Sequence, residues 1–100
     1  MALVTTKQML LNAQAEGYAV GAFNVENMEM VQAVVAAAEE LRAPVILQTT
    51  PSTIRYADLS YYYAAGKVAA EKASVPVAVH LDHGLKFETI KKALEYGFRS

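Results

Sequence analysis

Cysteine is absent from the 100-residue sequence, so the chain holds no disulfide bond and no thiolate metal ligand. Any transition metal would be bound by histidine and carboxylate groups, and the lack of cysteine fits a reducing cytoplasm. An excess of charge of one sign is also absent, because nine Lys and Arg face ten Asp and Glu without a basic cluster, which excludes a nucleic-acid surface. The first residues, "MALVTTKQML", lack the basic segment, long apolar run and cleavage site that a signal peptide is expected to have, and no apolar run approaches the about 20 residues that span a membrane. We therefore expect a cytoplasmic protein without a membrane partner.

Linkers, low-complexity segments and charge blocks are missing as well, and a looser pattern takes their place. Ala- and Glu-rich helical segments alternate with short apolar runs; Gly17 and Gly97 end helices, and Pro44 and Pro76 open strands. The apolar fraction of 54% suits a buried core. The pattern predicts helices at about residues 6–15, 27–42, 59–73 and 87–95, strands at about residues 18–23, 45–49 and 77–81, and the start of a fourth strand at 98–100.

The second predicted helix shows which of its sides is buried. Five apolar residues recur at helical spacing along one side, namely Val31, Val34, Val35, Ala38 and Leu41. We expect this side to pack on a sheet.

The predicted strands are nearly continuous apolar runs, as in "PVILQT" and "PVAVHL". Such runs are typical of a parallel sheet that helices cover on both faces, which indicates an α/β fold. An open doubly wound sheet and a closed (β/α)8 barrel both satisfy this pattern. The turn "AFNVENMEM" has no glycine-rich phosphate loop, and polar residues collect at the carboxyl ends of the strands, where barrel enzymes build their sites. These two observations favour the TIM barrel.

Length limits how much of a barrel the chain can form. A complete barrel needs about 250 residues, whereas this sequence holds an N-terminal helix, roughly three strand–helix units and the start of strand four. We therefore interpret residues 1–100 as the N-terminal portion of a single (β/α)8 barrel domain. Alone, this portion would leave open strand edges and apolar surface, which favours association.

The stretch "VPVAVHLDHG" ends a buried strand with three titratable groups. Alternation along the strand places His80 and Asp82 on one side, which we assign to the barrel interior, and the Val and Leu residues on the other. His83 follows the strand, and Gly84 is expected to make a sharp turn there. A neutral imidazole at the rim suits Zn²⁺, and the neighbouring carboxylate suits proton transfer. His80 equally fits a hydrogen-bonded interior histidine, and since its direction differs from that of His83, we expect the two not to share one ion.

Four segments carry a resemblance to a known family: "GYAVGAFNVEN", "APVILQTTPST", "VPVAVHLDHG" and "GFRS". In this order they resemble the N-terminal part of the class II, metal-dependent ketose-bisphosphate aldolases. The resemblance implies a (β/α)8 barrel enzyme that reversibly cleaves fructose or tagatose 1,6-bisphosphate to dihydroxyacetone phosphate and glyceraldehyde 3-phosphate. It implies that Asp82 exchanges a proton with the C4 oxygen and that His83 binds zinc. It further implies that Asn24 and Thr50 lie near the substrate, and that His80 supports the site without binding the metal.

The resemblance also has implications for cofactors and partners. It implies Zn²⁺, whose remaining ligands lie outside this chain, a monovalent cation as a second candidate cofactor, and a homo-oligomer, either a dimer or a tetramer. The 100 residues alone are expected to be inactive. No lysine projects from a predicted strand, so nothing favours a Schiff-base mechanism. Two alternatives remain open: another zinc-dependent TIM-barrel enzyme such as a hydrolase, and a non-catalytic half-barrel fragment that self-assembles.

Overall fold

A computed structural model describes residues 3–100 as alternating helices and strands. The elements are α1 (Thr6–Glu16), β1 (Gly21–Asn24), α2 (Met28–Leu41), β2 (Val45–Thr49), α3 (Pro51–Tyr56), α4 (Leu59–Lys72), β3 (Val77–Leu81) and α5 (Phe87–Tyr96). The three strands form a parallel sheet in the order β1-β2-β3. Consecutive strands are therefore neighbours joined by helices, as the continuous apolar runs predicted.

The two faces of the sheet are covered by different helices. On one face, Val45, Leu47 and Val77 pack in a core with α2 and α4. On the other face, Ile46 and Ala78 pack against Met9 of α1. Neighbouring residues of one strand thus lie in different cores, as strand geometry requires. The alternation predicted for β3 is confirmed.

The buried side of α2 is shorter than predicted. Val31, Val35 and Ala38 are buried in the core, but Leu41 is 76% exposed, so its expected contact with the sheet is wrong. Leu41 instead borders an open apolar groove of about 390 Å³ beside β1. Among residues 3–100, β1 has no strand on its outer side, and Leu41 consequently has no neighbour to pack against, whereas Ala38 in the same turn is buried.

Two boundaries differ from the sequence pattern. Residues 18–20 lie outside β1 because its pairing with β2 begins at Gly21 opposite Val45, which leaves the earlier residues without a partner strand. No strand forms at 98–100, although the backbone N–H of Leu81 donates to the carbonyl of Ser100 at 3.0 Å. One hydrogen bond beside β3 does not make a ladder.

The short helix α3 was not predicted. Pro51 at its first position supplies a helical φ without needing an N–H partner, and Thr50 before it takes the extended geometry of an N-cap. The sequence "TPST" carried this indication.

Several large apolar side chains are exposed, among them residues of β1 and α5. Phe23 of the edge strand β1 is 51% exposed, and one side of α5 exposes Phe87 and Leu94. At the other edge of the sheet, Leu3 makes a single parallel bridge with Val77. Within residues 3–100 the sheet is therefore an open sector and not a closed barrel. No helix in this part of the chain is long and apolar enough to cross a membrane.

Candidate functional site at the carboxyl ends of the strands

The polar residues that follow the three strands come together at one edge of the sheet. Asn24 lies opposite Gln48 in the register of β1 and β2, and Gln48 lies opposite His80 in that of β2 and β3. The three side chains therefore form one row across the strands. Asp82 follows β3 directly and lies beside this row, because its backbone N–H donates to the carbonyl of Thr49 at 2.7 Å.

Gln48 joins the first and third strands through its amide group. Its Nε2 donates to Asn24 Oδ1 at 2.7 Å and to Asp82 Oδ2 at 3.3 Å. An amide nitrogen carries two hydrogens, so it serves both acceptors at once. The sequence pattern did not assign Gln48 to the site. Its only sequence signal is its place at the polar end of β2, because the register that sets it opposite Asn24 belongs to the folded sheet.

Asp82 has an imidazole on each side. His80 Nε2 lies 3.6 Å from Oδ1, and His83 Nε2 lies 3.6 Å from Oδ2. Both separations exceed a hydrogen bond, so these are electrostatic contacts. The Asp82 side chain is one-third exposed, at 33%. A carboxylate that is held on several sides and still reaches solvent can exchange a proton with a bound molecule.

His83 leaves the line of β3 by an unusual backbone conformation. Its φ is 53°, in the left-handed region, which histidine adopts more readily than most side chains. The sharp turn was expected at Gly84, but the residue with the positive φ is His83. A Cβ at position 84 would lie 3.1 Å from Ile90 Cγ1, a tight contact that Ile90 would relieve by moving a few tenths of an ångström. The imidazole of His83 is 70% exposed as a result.

The imidazole of His80 is hydrogen-bonded and 32% exposed. Its Nδ1 lies 2.9 Å from Ser100 Oγ, and that oxygen accepts a hydrogen bond from the Thr6 hydroxyl at 2.8 Å. The hydroxyls therefore hold one imidazole nitrogen while the other faces Asp82.

Thr50 lies near this cluster but belongs to the start of α3. Its backbone N–H donates to Thr53 Oγ1 at 3.1 Å, and its Oγ1 lies 2.9 Å from Ser52 Oγ. Its hydroxyl thus orders the β2–α3 turn, where its hydrogen-bond partners are Ser52 and Thr53 and not Asn24 or Asp82. The structure brings together four of the five predicted site residues and leaves Thr50 beside them.

A tyrosine on α4 supports the loop that follows β1. The Tyr62 hydroxyl donates to the backbone carbonyl of Glu26 at 2.9 Å. Burial raises the pKa of Tyr62, and the charge of Glu26 adds to this shift. The phenol therefore stays a neutral donor that fixes the loop behind Asn24.

The described residues can hold a metal ion only in part. Residues 3–100 contain no group of three or more His, Cys, Asp and Glu side chains that could bind one. A catalytic zinc typically has three protein ligands. His83 fits as one of them because its imidazole is exposed at the rim, whereas Nδ1 of His80 is engaged by Ser100.

Comparison with known proteins agrees with this arrangement. The family model for class-II fructose-bisphosphate aldolase matches residues 4–100. A fructose-bisphosphate aldolase from Thermus caldophilus is 49% identical over 98 residues, which cover 98% of this chain and 32% of that protein. A fructose-bisphosphate aldolase from Giardia intestinalis is 43% identical over 101 residues, which cover 100% of this chain and 31% of that protein.

A solved structure is similar as well. The crystal structure of the YdjI aldolase from Escherichia coli K12 has a TM-score of 0.88 at 33% identity, covering 96% of this chain and 37% of that one. The chain thus spans about a third of the length of the curated relatives it matches. With the family model covering nearly every residue, the chain belongs to the class-II fructose-bisphosphate aldolase family.

Proposed function

We propose that residues 1–100 are the N-terminal portion of a (β/α)8 barrel that reversibly cleaves a ketose 1,6-bisphosphate to dihydroxyacetone phosphate and glyceraldehyde 3-phosphate. The observation that carries this proposal is the Asp82 carboxylate, which faces two imidazoles and an amide at the carboxyl ends of three parallel strands. Barrel enzymes build their sites at these ends. Family membership supports the reaction class.

Asp82 is the acid/base of this proposal. In the cleavage direction its carboxylate accepts the proton of the C4 hydroxyl, the C3–C4 bond breaks, and the electron pair moves towards the ketone at C2. In the condensation direction it returns the proton to the C4 oxygen. The amide of Gln48 and the imidazole of His80 hold the carboxylate oxygens, so Asp82 needs little reorganisation to meet the substrate.

His83 is a zinc ligand in this proposal, and the other ligands come from strands outside this chain. A bound Zn²⁺ supplies a Lewis acid for the negative charge that builds up on the substrate during cleavage. The exposed imidazole beside Asp82 supports the assignment. A monovalent cation is proposed as a second cofactor on the family resemblance alone.

Asn24 and Thr50 contact the substrate in this proposal. Asn24 lies in the same row as Gln48, and Thr50 begins α3 at the adjacent rim. The configuration at C4 distinguishes fructose from tagatose bisphosphate, and a rate comparison of the two sugars identifies the preferred one.

Purified full-length protein tests the proposal directly. We expect it to release triose phosphate from fructose or tagatose 1,6-bisphosphate, measured by a coupled dehydrogenase assay. Asp82→Asn should retain zinc and lose about a hundredfold to ten-thousandfold in kcat, because it removes the proton acceptor. Asp58→Asn is the matched control, since Asp58 caps α4 away from the site. Unchanged cleavage by Asp82→Asn would refute the acid/base assignment.

The metal assignment has a separate measurement. His83→Ala should lose bound zinc, as read by metal analysis of the purified protein, while His80→Ala should keep most of it. A hydrolase that uses metal-bound water is the alternative enzyme, and it would release inorganic phosphate instead of triose phosphate.

A self-assembling, non-catalytic half-barrel is the second candidate function. The open edge of β1 and the apolar groove beside it favour association with other chains. Size measurement with metal analysis separates the aldolase from the half-barrel, because an inactive, zinc-free oligomer supports only the half-barrel.

For the aldolase, we propose that full-length barrels associate as dimers or tetramers in the cytoplasm, without nucleic acid.

A further inference from the structure

Four side chains from distant parts of the sequence form a second row, which differs from the row across the strands and ends at the proposed acid/base Asp82. The Thr6 hydroxyl donates to Ser100 Oγ at 2.8 Å, Ser100 Oγ lies 2.9 Å from His80 Nδ1, and His80 Nε2 lies 3.6 Å from Asp82 Oδ1. Thr6 begins α1, which packs on the face of the sheet that carries Ala78. The row therefore connects that helix, the segment after α5 and the end of β3.

Hydrogen-bond direction orders one end of the row, and electrostatic attraction orders the other. Because Thr6 donates to Ser100 Oγ, the Ser100 hydroxyl keeps its own hydrogen for one further bond. At the other end, an ionised carboxylate has no hydrogen and can only accept. A hydrogen on His80 Nε2 is attracted to the Asp82 carboxylate, whereas a lone pair there is repelled by it. The Nε2–H tautomer leaves Nδ1 as the acceptor of the Ser100 hydrogen.

We propose that Ser100, oriented by Thr6, sets the tautomer of His80 and thereby positions the Asp82 carboxylate for proton transfer. Ser100 and Thr6 are positioning residues, since neither touches the carboxylate. In the opposite tautomer, Nδ1–H would donate to Ser100, and the Nε2 lone pair would face Asp82 Oδ1. The carboxylate would then turn away from His80. This inference rests on the proposed role of Asp82 in aldol cleavage.

The tautomer is read by ¹⁵N NMR of the full-length protein, labelled at its histidine rings and held at about pH 8, above the ordinary pKa of free imidazole. The His80 resonances are assigned by their loss in His80→Asn. We expect a protonated Nε2 and an unprotonated Nδ1 in the unchanged protein. Ser100→Ala should move the population towards Nδ1–H, Ser100→Thr should keep Nε2–H, and Thr6→Val should give a smaller shift than Ser100→Ala. Ser74→Ala, an exposed serine before β3, is the matched control and should leave His80 unchanged.

Turnover supplies the second readout. We expect Ser100→Ala to lower kcat about tenfold, the lower end of what loss of an orienting partner costs, with KM changed by less than about twofold. Ser100→Thr should restore most of the activity. Misfolding would lower the active fraction of both Ser100 variants, and thermal unfolding of each variant detects it. In that case the His80 tautomer in Thr6→Val and in the unchanged protein still tests the proposal.

Three results would overturn the inference: Nδ1–H in the unchanged protein, a tautomer that does not respond to Ser100→Ala, or a shifted tautomer with unaltered kcat. Failure of the proposed function looks different. A protein with Nε2–H at His80 that cleaves no ketose bisphosphate keeps the contacts from Thr6 to His80 and refutes only the aldolase activity.

Discussion

The contact between α4 and β3 positions the strand that carries His80 and leads to Asp82. One substitution at this contact should destabilise the fold in one background and stabilise it in another. Gly66 lies in the middle of α4, where a Cβ would lie 2.5 Å from Val79 Cγ2 and 3.7 Å from Leu47 Cδ1. A separation below 3.0 Å is essentially never seen for a real Cβ, so Gly66→Ala would force either Val79 or the helix to shift. The helix needs glycine here because of its neighbour on the sheet.

The expected changes in the free energy of unfolding follow from these contacts. Overpacking costs about 1–3 kcal/mol, and alanine regains about 1 kcal/mol of helix propensity, so Gly66→Ala should destabilise the fold by about 1 kcal/mol. Val79 is 4% exposed, and Val79→Ala removes two buried methyl groups at a cost of about 2–3 kcal/mol. In the double variant the new methyl occupies the vacated space. It should be about 1–2 kcal/mol more stable than Val79→Ala alone.

Urea unfolding followed by circular dichroism measures the four free energies of this cycle. Gly66→Ala should lower the free energy of unfolding when residue 79 is Val and raise it when residue 79 is Ala. Gly66→Ala combined with Leu47→Ala is the matched comparison, since Leu47 lies at an ordinary contact distance and should not reverse the sign. If Gly66→Ala destabilises the chain equally in both backgrounds, the steric argument is refuted.

Three further predictions concern other contacts. Gln48→Met, which keeps length but removes both donors, should lower kcat of the full-length protein about tenfold in the triose phosphate assay. Tyr62→Phe should cost about 1 kcal/mol in urea unfolding, because the carbonyl of Glu26 loses its donor. Asp58→Ala removes the N-cap of α4 and should cost about 1 kcal/mol in the same assay. Hydrogen bonds from Ser60 lower the pKa of Asp58 below its ordinary value of 3.8. The stabilisation by this cap is therefore complete above that ordinary pKa and is lost as pH falls through the lowered pKa. Asp58→Asn should flatten this pH dependence in acid unfolding curves.

The parallel α/β architecture was predictable because local side-chain patterns encode it. Continuous apolar strands indicated a sheet that is covered on both faces, and alternation in β3 separated Ala78 from Val77 correctly. Polar strand ends indicated the position of the site, and parallel strands bring such ends to one edge. Helical periodicity was less reliable at Leu41, since a periodic pattern does not show where the neighbouring sheet stops.

Other site features depend on neighbours that are distant in sequence. The bridge made by Gln48 requires the register of three strands, and the positive φ at His83 shows only in the folded backbone. Thr50 was expected at the substrate, yet its hydroxyl also orders the start of α3.

By itself, the sequence determined the three strands and four of the five helices, which end of the sheet is polar, and which family the motifs resemble, because these properties depend on residues within a few positions of one another. Only the tertiary structure decided which polar groups meet. Thr6 and Ser100 are separated by 94 positions yet share a hydrogen bond, since the packing of α1 and the end of α5 around β3 brings them together. No local pattern encodes such a distance, and it is this packing that places two hydroxyls behind His80 and its Nε2 in front of Asp82.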